Sequence, residues 1–135
     1  MTRAARRSRR KRWDEITLVL FDDRSIAAAN ARCFGSTSVT DVISQAYRPD
    51  PSAKGWSGEI LVNVAAALRR TPNLLAAGAE LALYVAHGCD HLAGGRDDTP
   101  ARRRAMLARN RRALAAARRA GFSLDLLGGP SDRTR

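Results

Sequence analysis

His87-Gly88-Cys89-Asp90-His91-Leu92-Ala93-Gly94-Gly95-Arg96-Asp97 places three metal-capable side chains at offsets 0, +4 and +10. Two histidines four residues apart on a helix project from one face a turn apart, so both imidazoles reach the same ion. Gly94-Gly95 ends the helix, because glycine accepts the left-handed backbone with which helices terminate. The chain can then turn back and present Asp97 as a third ligand. Three protein ligands leave one tetrahedral position open to water, the pattern of catalytic rather than structural zinc. The spacing alone also suits two polar residues on a solvated face, and context separates the two readings. Glu80-Leu81-Ala82-Leu83-Tyr84-Val85-Ala86 is almost wholly apolar, so His87 ends a buried helix where an imidazole without a partner is costly. Asp97 takes the third position by its offset, in competition with Asp90 between the histidines and Asp98 beside it. The chain has no other histidine.

Working outward, the apolar helix carrying this stretch spans 74–93, and Thr71-Pro72 separates it from a shorter helix over Asn63 to Arg70. Downstream, Thr99-Pro100 starts a helix over 100–120: threonine caps the exposed amides, proline suits the first helical position, and Gly121 stops it. Met106, Leu107, Ala113, Leu114 and Ala117 form its predicted buried stripe. Arg102, Arg103, Arg104, Arg109, Arg111, Arg112, Arg118 and Arg119 cover the rest, with no acid inside the helix to balance them. Upstream, the β-branched run Ile16 to Phe21 reads as a buried strand ended by Asp22-Asp23. Ser25 is the expected cap of a helix from Ile26 to Phe34, and Gly35 to Ser38 is a loop. Strands follow at Thr40 to Gln45 and Glu59 to Val64, joined by the Pro- and Gly-bearing segment Tyr47 to Ser57. Strands early and helices late, without βαβ alternation, predict an α+β fold, a small mixed β-sheet packed with helices.

The 135 residues carry 24 Lys+Arg against 13 Asp+Glu, a net charge of +11. Almost all of that positive charge is arginine, which contacts phosphate in bidentate fashion and stacks on bases, so a polyanionic, nucleic-acid partner is expected. Residues 1–12 are read as a disordered basic arm, 13–121 as one compact domain and 122–135 as a C-terminal tail. Cys33 and Cys89 form neither a CxxC pair nor a disulfide framework, which suits a reducing compartment, and Cys89 is read as a small core residue. No apolar stretch approaches a membrane span and no signal-peptide core follows the basic start, so a cytoplasmic location is expected.

In zinc peptidases of the His-Glu-x-x-His type, the glutamate after the first histidine is the general base. Gly88 holds that position here, although His87, His91, Gly94 and Asp97 otherwise keep the spacing of the longer zincin-like signature. A metallopeptidase is therefore the least favoured chemistry.

The same residues resemble the YbeY family of single-strand endoribonucleases that mature ribosomal RNA. His87-Gly88, His91-Leu92, Gly94 and Asp97 match its signature position by position. Asn30, Thr40-Asp41-Val42-Ile43-Ser44 and Gly58-Glu59-Ile60 match its upstream segments in order and spacing. The likeness covers roughly residues 15 to 120. Asp97 stands where the family has histidine, Asp90 where it has an apolar residue, and Phe34 where many members have arginine. Gly95 and Arg96 replace tyrosine and aspartate, and Gln45 replaces phenylalanine. The resemblance implies a zinc-dependent endoribonuclease acting in 3′ end maturation of small-subunit rRNA, with one zinc ion held by His87, His91 and Asp97. Single-stranded rRNA and ribosomal subunits are the implied partners, with no membrane and no nucleotide cofactor. Arg32, Arg102, Arg103 and Arg109 are the candidate RNA-binding residues, and no general base is evident. The alternative is a non-catalytic, metal-stabilised rRNA- or ribosome-binding protein.

Overall fold

The computed structural model describes residues 11–52 and 54–127, so most of the basic arm lies outside the described residues. The elements are β1 (Trp13–Phe21), α1 (Asp23–Phe34), β2 (Val42–Tyr47), β3 (Trp56–Asn63), α2 (Val64–Arg70), α3 (Leu74–Leu92) and α4 (Pro100–Arg119). The sheet order is β1-β3-β2, with β1 parallel and β2 antiparallel to the central β3, and the class is α+β.

Strand alternation sends successive β3 side chains to opposite faces, and each face gathers its own core. Leu61, with Ile43 of β2, packs on Ile26 and Ala29 of α1. Ile60 and Val62 pack on Leu81, Tyr84 and Leu92 of α3 and on Ala66 and Ala67 of α2. The second face matters for function, because it is the seat on which α3 carries the histidines. Asn63 locks the junction: fully buried, its amide donates to Asp23 Oδ1 (2.8 Å) and the Thr40 carbonyl (3.1 Å), and its Oδ1 accepts from Ala66 N to cap α2. Asn73 and Thr99 cap α3 and α4 in the same way.

Several expectations need correction. The run Ile16 to Phe21 is not a buried strand: β1 is an edge strand, and Ile16, Leu18 and Leu20 are 46–56% exposed because α3 covers β3 and β2 but leaves β1 open. Ser25 does not cap α1. Asp22 does, its Oδ1 accepting from Ser25 N (2.8 Å) while Ser25 Oγ accepts from Asp22 N (3.0 Å), a capping box that places Ser25 at the third helical position. β2 runs two residues later than expected, and β3 starts three earlier. On α4 only Met106 and Asn110 are buried, while Leu107 and Ala113 are exposed, since this helix packs on one neighbour and needs only a narrow contact stripe. Cys89 is exposed rather than a core residue, and both cysteines are free. Beyond α4 the chain turns back, and Leu127 packs against the α3 core.

Candidate metal centre

His87 and His91 lie one turn apart at the C-terminal end of α3, and Ala93 caps the helix by bonding back to the Cys89 carbonyl. Gly94 then adopts φ +95°, the left-handed turn the sequence calls for, which sends the chain back toward the helix. Gly95 N donates to the Asp90 carbonyl (2.8 Å), and the Arg103 guanidinium donates to the Asp97 carbonyl (3.3 Å), so the loop is fixed at both ends.

The result is convergence of three donor atoms. His87 Nε2 and His91 Nε2 are 3.0 Å apart, and Asp97 Oδ2 lies 3.4 Å from the first and 3.2 Å from the second. Ligands bound tetrahedrally to zinc at about 2.0–2.1 Å are about 3.3 Å from one another. Two neutral imidazoles and a carboxylate at this mutual spacing therefore fit a divalent ion of the zinc type. All three side chains are about one-third exposed, so an ion there would remain accessible from the cleft. Burial holds the His87 pKa below its ordinary 6.5, assisted by the neighbouring His91 charge and opposed by Asp97, Asp90 and Asp41. This keeps the imidazole in the neutral form that binds metal.

The competing acids face elsewhere. Asp90 receives Arg109 Nε at 3.1 Å and Arg109 Nη2 at 3.2 Å, tying α3 to α4, which explains a carboxylate at a position with an apolar counterpart in the family pattern. Asp98 accepts from Arg96 and Arg102, each at 2.8 Å. Gly88 also has a physical reason. A Cβ there would lie 2.7 Å from Ile60 Cγ2, so this position presses on the sheet and has no room for the glutamate of a peptidase.

The three donors open into a cleft of about 370 Å³ between β2, α3 and α4. Arg70 lines it, donating to Asp41 Oδ2 (2.7 Å) and the Tyr84 hydroxyl (3.1 Å). Burial, with the Asp41 charge beside it, pushes the Tyr84 pKa up to about 12, so the hydroxyl stays protonated. Asn110 also lines the cleft: it is 4% exposed, and its amide has no hydrogen-bond partner among the described residues. Sequence reasoning singled out neither Arg70, Tyr84 nor Asn110, since nothing local marks a residue whose role comes from tertiary position. The cleft itself is not basic, because Asp41, Glu80 and Asp97 line it along with Arg70, which Asp41 engages.

The four candidate RNA-binding arginines are scattered. Arg102 and Arg109 are engaged by Asp98 and Asp90, so acids outside α4 neutralise two charges that looked unbalanced within it. Arg103 holds the Asp97 loop by its carbonyl. Arg32 is exposed in the last turn of α1 and does not line the cleft.

Comparison with known proteins gives the family. Endoribonuclease YbeY of Anaeromyxobacter sp. (strain Fw109-5) is 36% identical over 114 residues, which cover 79% of this chain and 59% of that protein. Endoribonuclease YbeY of Anaeromyxobacter dehalogenans (strain 2CP-C) is 34% identical over 126 residues, covering 88% of this chain and 65% of that protein. The chain thus spans 59–65% of the length of these curated relatives. No solved structure matches it significantly. The profile of the family described as Endoribonuclease YbeY matches residues 1–118, and with the His87, His91 and Asp97 arrangement in place we conclude that this chain belongs to the YbeY family.

Proposed function

We propose that this protein is a zinc-dependent single-strand endoribonuclease that acts in the cytoplasm on ribosomal RNA, in 3′ end maturation of the small-subunit rRNA and so in ribosome biogenesis. The observation that carries the reading is the convergence of His87 Nε2, His91 Nε2 and Asp97 Oδ2 within 3.4 Å of one another at the wall of an open cleft. These residues would hold one zinc ion, which when bound supplies Lewis-acid stabilisation of charge developing on a scissile phosphate. The chain's own groups do the rest. Arg70, held by Asp41 and Tyr84, presents a guanidinium fixed in direction to a phosphate in the cleft. Asn110 offers an amide N–H₂ donor from α4, with no hydrogen-bond partner among the described residues. RNA carries its own nucleophile in the ribose 2′-hydroxyl, so cleavage does not demand a protein nucleophile.

A second reading keeps RNA binding and drops turnover. It is favoured by Phe34, which is 61% exposed beside His91 and brings an aromatic ring where many members of the family have arginine. One experiment decides. Purified protein with its metal content measured is incubated with single-stranded rRNA beside the His91→Ala variant. Cleavage by the parent and none by the variant is expected. Equal cleavage by both sinks the site, and binding without cleavage by either establishes the binding module. Among the described residues no helix is long and apolar enough to cross a membrane.

A further inference from the structure

The metal cleft does not end at Asn110. It shares Glu80 and Leu83 with a second hollow of about 470 Å³ between α3 and α4. That hollow shares Ala76, Ala79 and Arg118 with a third, of about 600 Å³, which ends at Phe122. Together they make one groove running from the histidines along the helix pair toward the start of α3. Its floor is lined by small and apolar side chains, and its walls carry two arginines, Arg111 and Arg118. Seven residues apart on α4, these two are on the same helix face, two turns or about 10 Å along the axis. Neither forms an ion pair among the described residues, in contrast to Arg102 and Arg109 on the same helix, which are engaged by Asp98 and Asp90. Glu80 and Asp125 also line these two hollows, and among the described residues neither forms an ion pair with Arg111 or Arg118.

We propose that this groove carries the single RNA strand away from the metal centre, with Arg111 and Arg118 each gripping a backbone phosphate and the bases lying over the apolar floor. The identity of the strand as RNA rests on the function proposed above, whereas the phosphate grip rests on the groove's own charge and its continuity with the cleft. Contacts of this kind track the backbone without reading sequence. They also replace two of the four sequence-derived candidates, because an arginine already held by a carboxylate gains less from a phosphate.

The test is a fluorescence-anisotropy titration of a labelled single-stranded 12-mer RNA at a series of KCl concentrations. It compares the parent protein, the Arg111→Ala/Arg118→Ala and Arg111→Lys/Arg118→Lys double variants, and Arg24→Ala, an exposed arginine on α1, as control. Each phosphate contact to a single strand contributes about 0.7 to the slope of log K against log salt. The alanine double variant should therefore lose about 1.4 from that slope, and the lysine double variant and the control should keep it. A parent that binds and cleaves RNA while the alanine variant keeps the full slope overturns the groove and leaves the nuclease reading standing. A parent that binds through these arginines yet cleaves nothing supports the groove and overturns turnover. A parent that does not bind RNA overturns both.

Discussion

Replacing Gly88 by alanine sets two effects of opposite sign against each other. Gly88 lies inside α3, and at an exposed helical position the change would stabilise by about 1 kcal/mol, since alanine is the better helix former. Here the new Cβ would sit 2.7 Å from Ile60 Cγ2 and 3.3 Å from Val42 Cγ2. Carbon atoms in contact prefer about 3.5–4.0 Å, so the first approach falls short by about 1 Å. Ile60 is only 1% exposed and belongs to the core cluster under α3, so it has little room to yield. Overpacking of this kind costs about 1–3 kcal/mol, which outweighs the helix gain by about 1 kcal/mol. The alternative relief is for α3 to lift from the sheet by a similar distance. That movement leaves the His87–His91 spacing of 3.0 Å intact, because both ride on one helix. It does change the 3.2 and 3.4 Å separations from Asp97, which is anchored in the following loop. Metal sites hold ligand distances to about 0.2 Å, so zinc affinity should fall with stability. Urea unfolding of the metal-free protein and a competitive chelator titration read the two effects. A Gly88→Ala variant as stable as the parent, or more so, would refute the packing argument.

Three further outcomes follow from the same site. Asp97→Ala should weaken zinc binding by more than the 10–100-fold typical of losing a mere outer partner of a ligand, measured by chelator competition; an unchanged affinity would assign the third position to another acid. Arg109→Ala strands the Asp90 carboxylate, whose side chain is 13% exposed, and should cost about 1–3 kcal/mol in urea unfolding. Adding Asp90→Leu should recover part of that loss, and a strictly additive double variant would argue that the pair contributes nothing. In the metal-free protein His87 should titrate below 6.5 by NMR, because burial and the neighbouring His91 charge disfavour its cation. The folded state then binds fewer protons than the unfolded state between the lowered value and 6.5, so stability rises with pH across that window and is lost on acidification. A His87 titration at or above 6.5 would contradict this.

What could be read along the chain was what local chemistry decides. Thr99 was legible as the start of α4, since a short polar side chain there satisfies an otherwise unpaired amide whatever the tertiary context. The offsets of His87, His91 and Asp97 were legible for the same reason: helix pitch and one glycine-rich turn suffice to bring them together. Burial of β1 was not legible. An apolar run on a central strand and one on an edge look alike, and only the sheet order shows that β1 has a single neighbour.

Charge pairing was the least legible feature, and it bears most on function. Counting acids within α4 leaves every arginine available, yet the partners lie outside the helix: Asp90 is 19 residues from Arg109, and Asp98 precedes the cap of α4. Likewise Asp23 and Asp41 engage Arg69 and Arg70 across separations of 46 and 29 residues. A large net charge therefore says that an anionic partner is favoured and says little about where it sits. The exposed Asp98–Arg102 pair contributes little to stability and matters chiefly by lowering the local field, whereas the half-buried Asp90–Arg109 pair does both. Of the α4 arginines without an ion pair among the described residues, Arg111 and Arg118 are the ones that line the groove opening from the metal centre. A strand drawn there by its phosphates arrives already threaded past His87 and His91, which is the geometry an endonuclease requires, since its substrate must extend beyond the reacting bond.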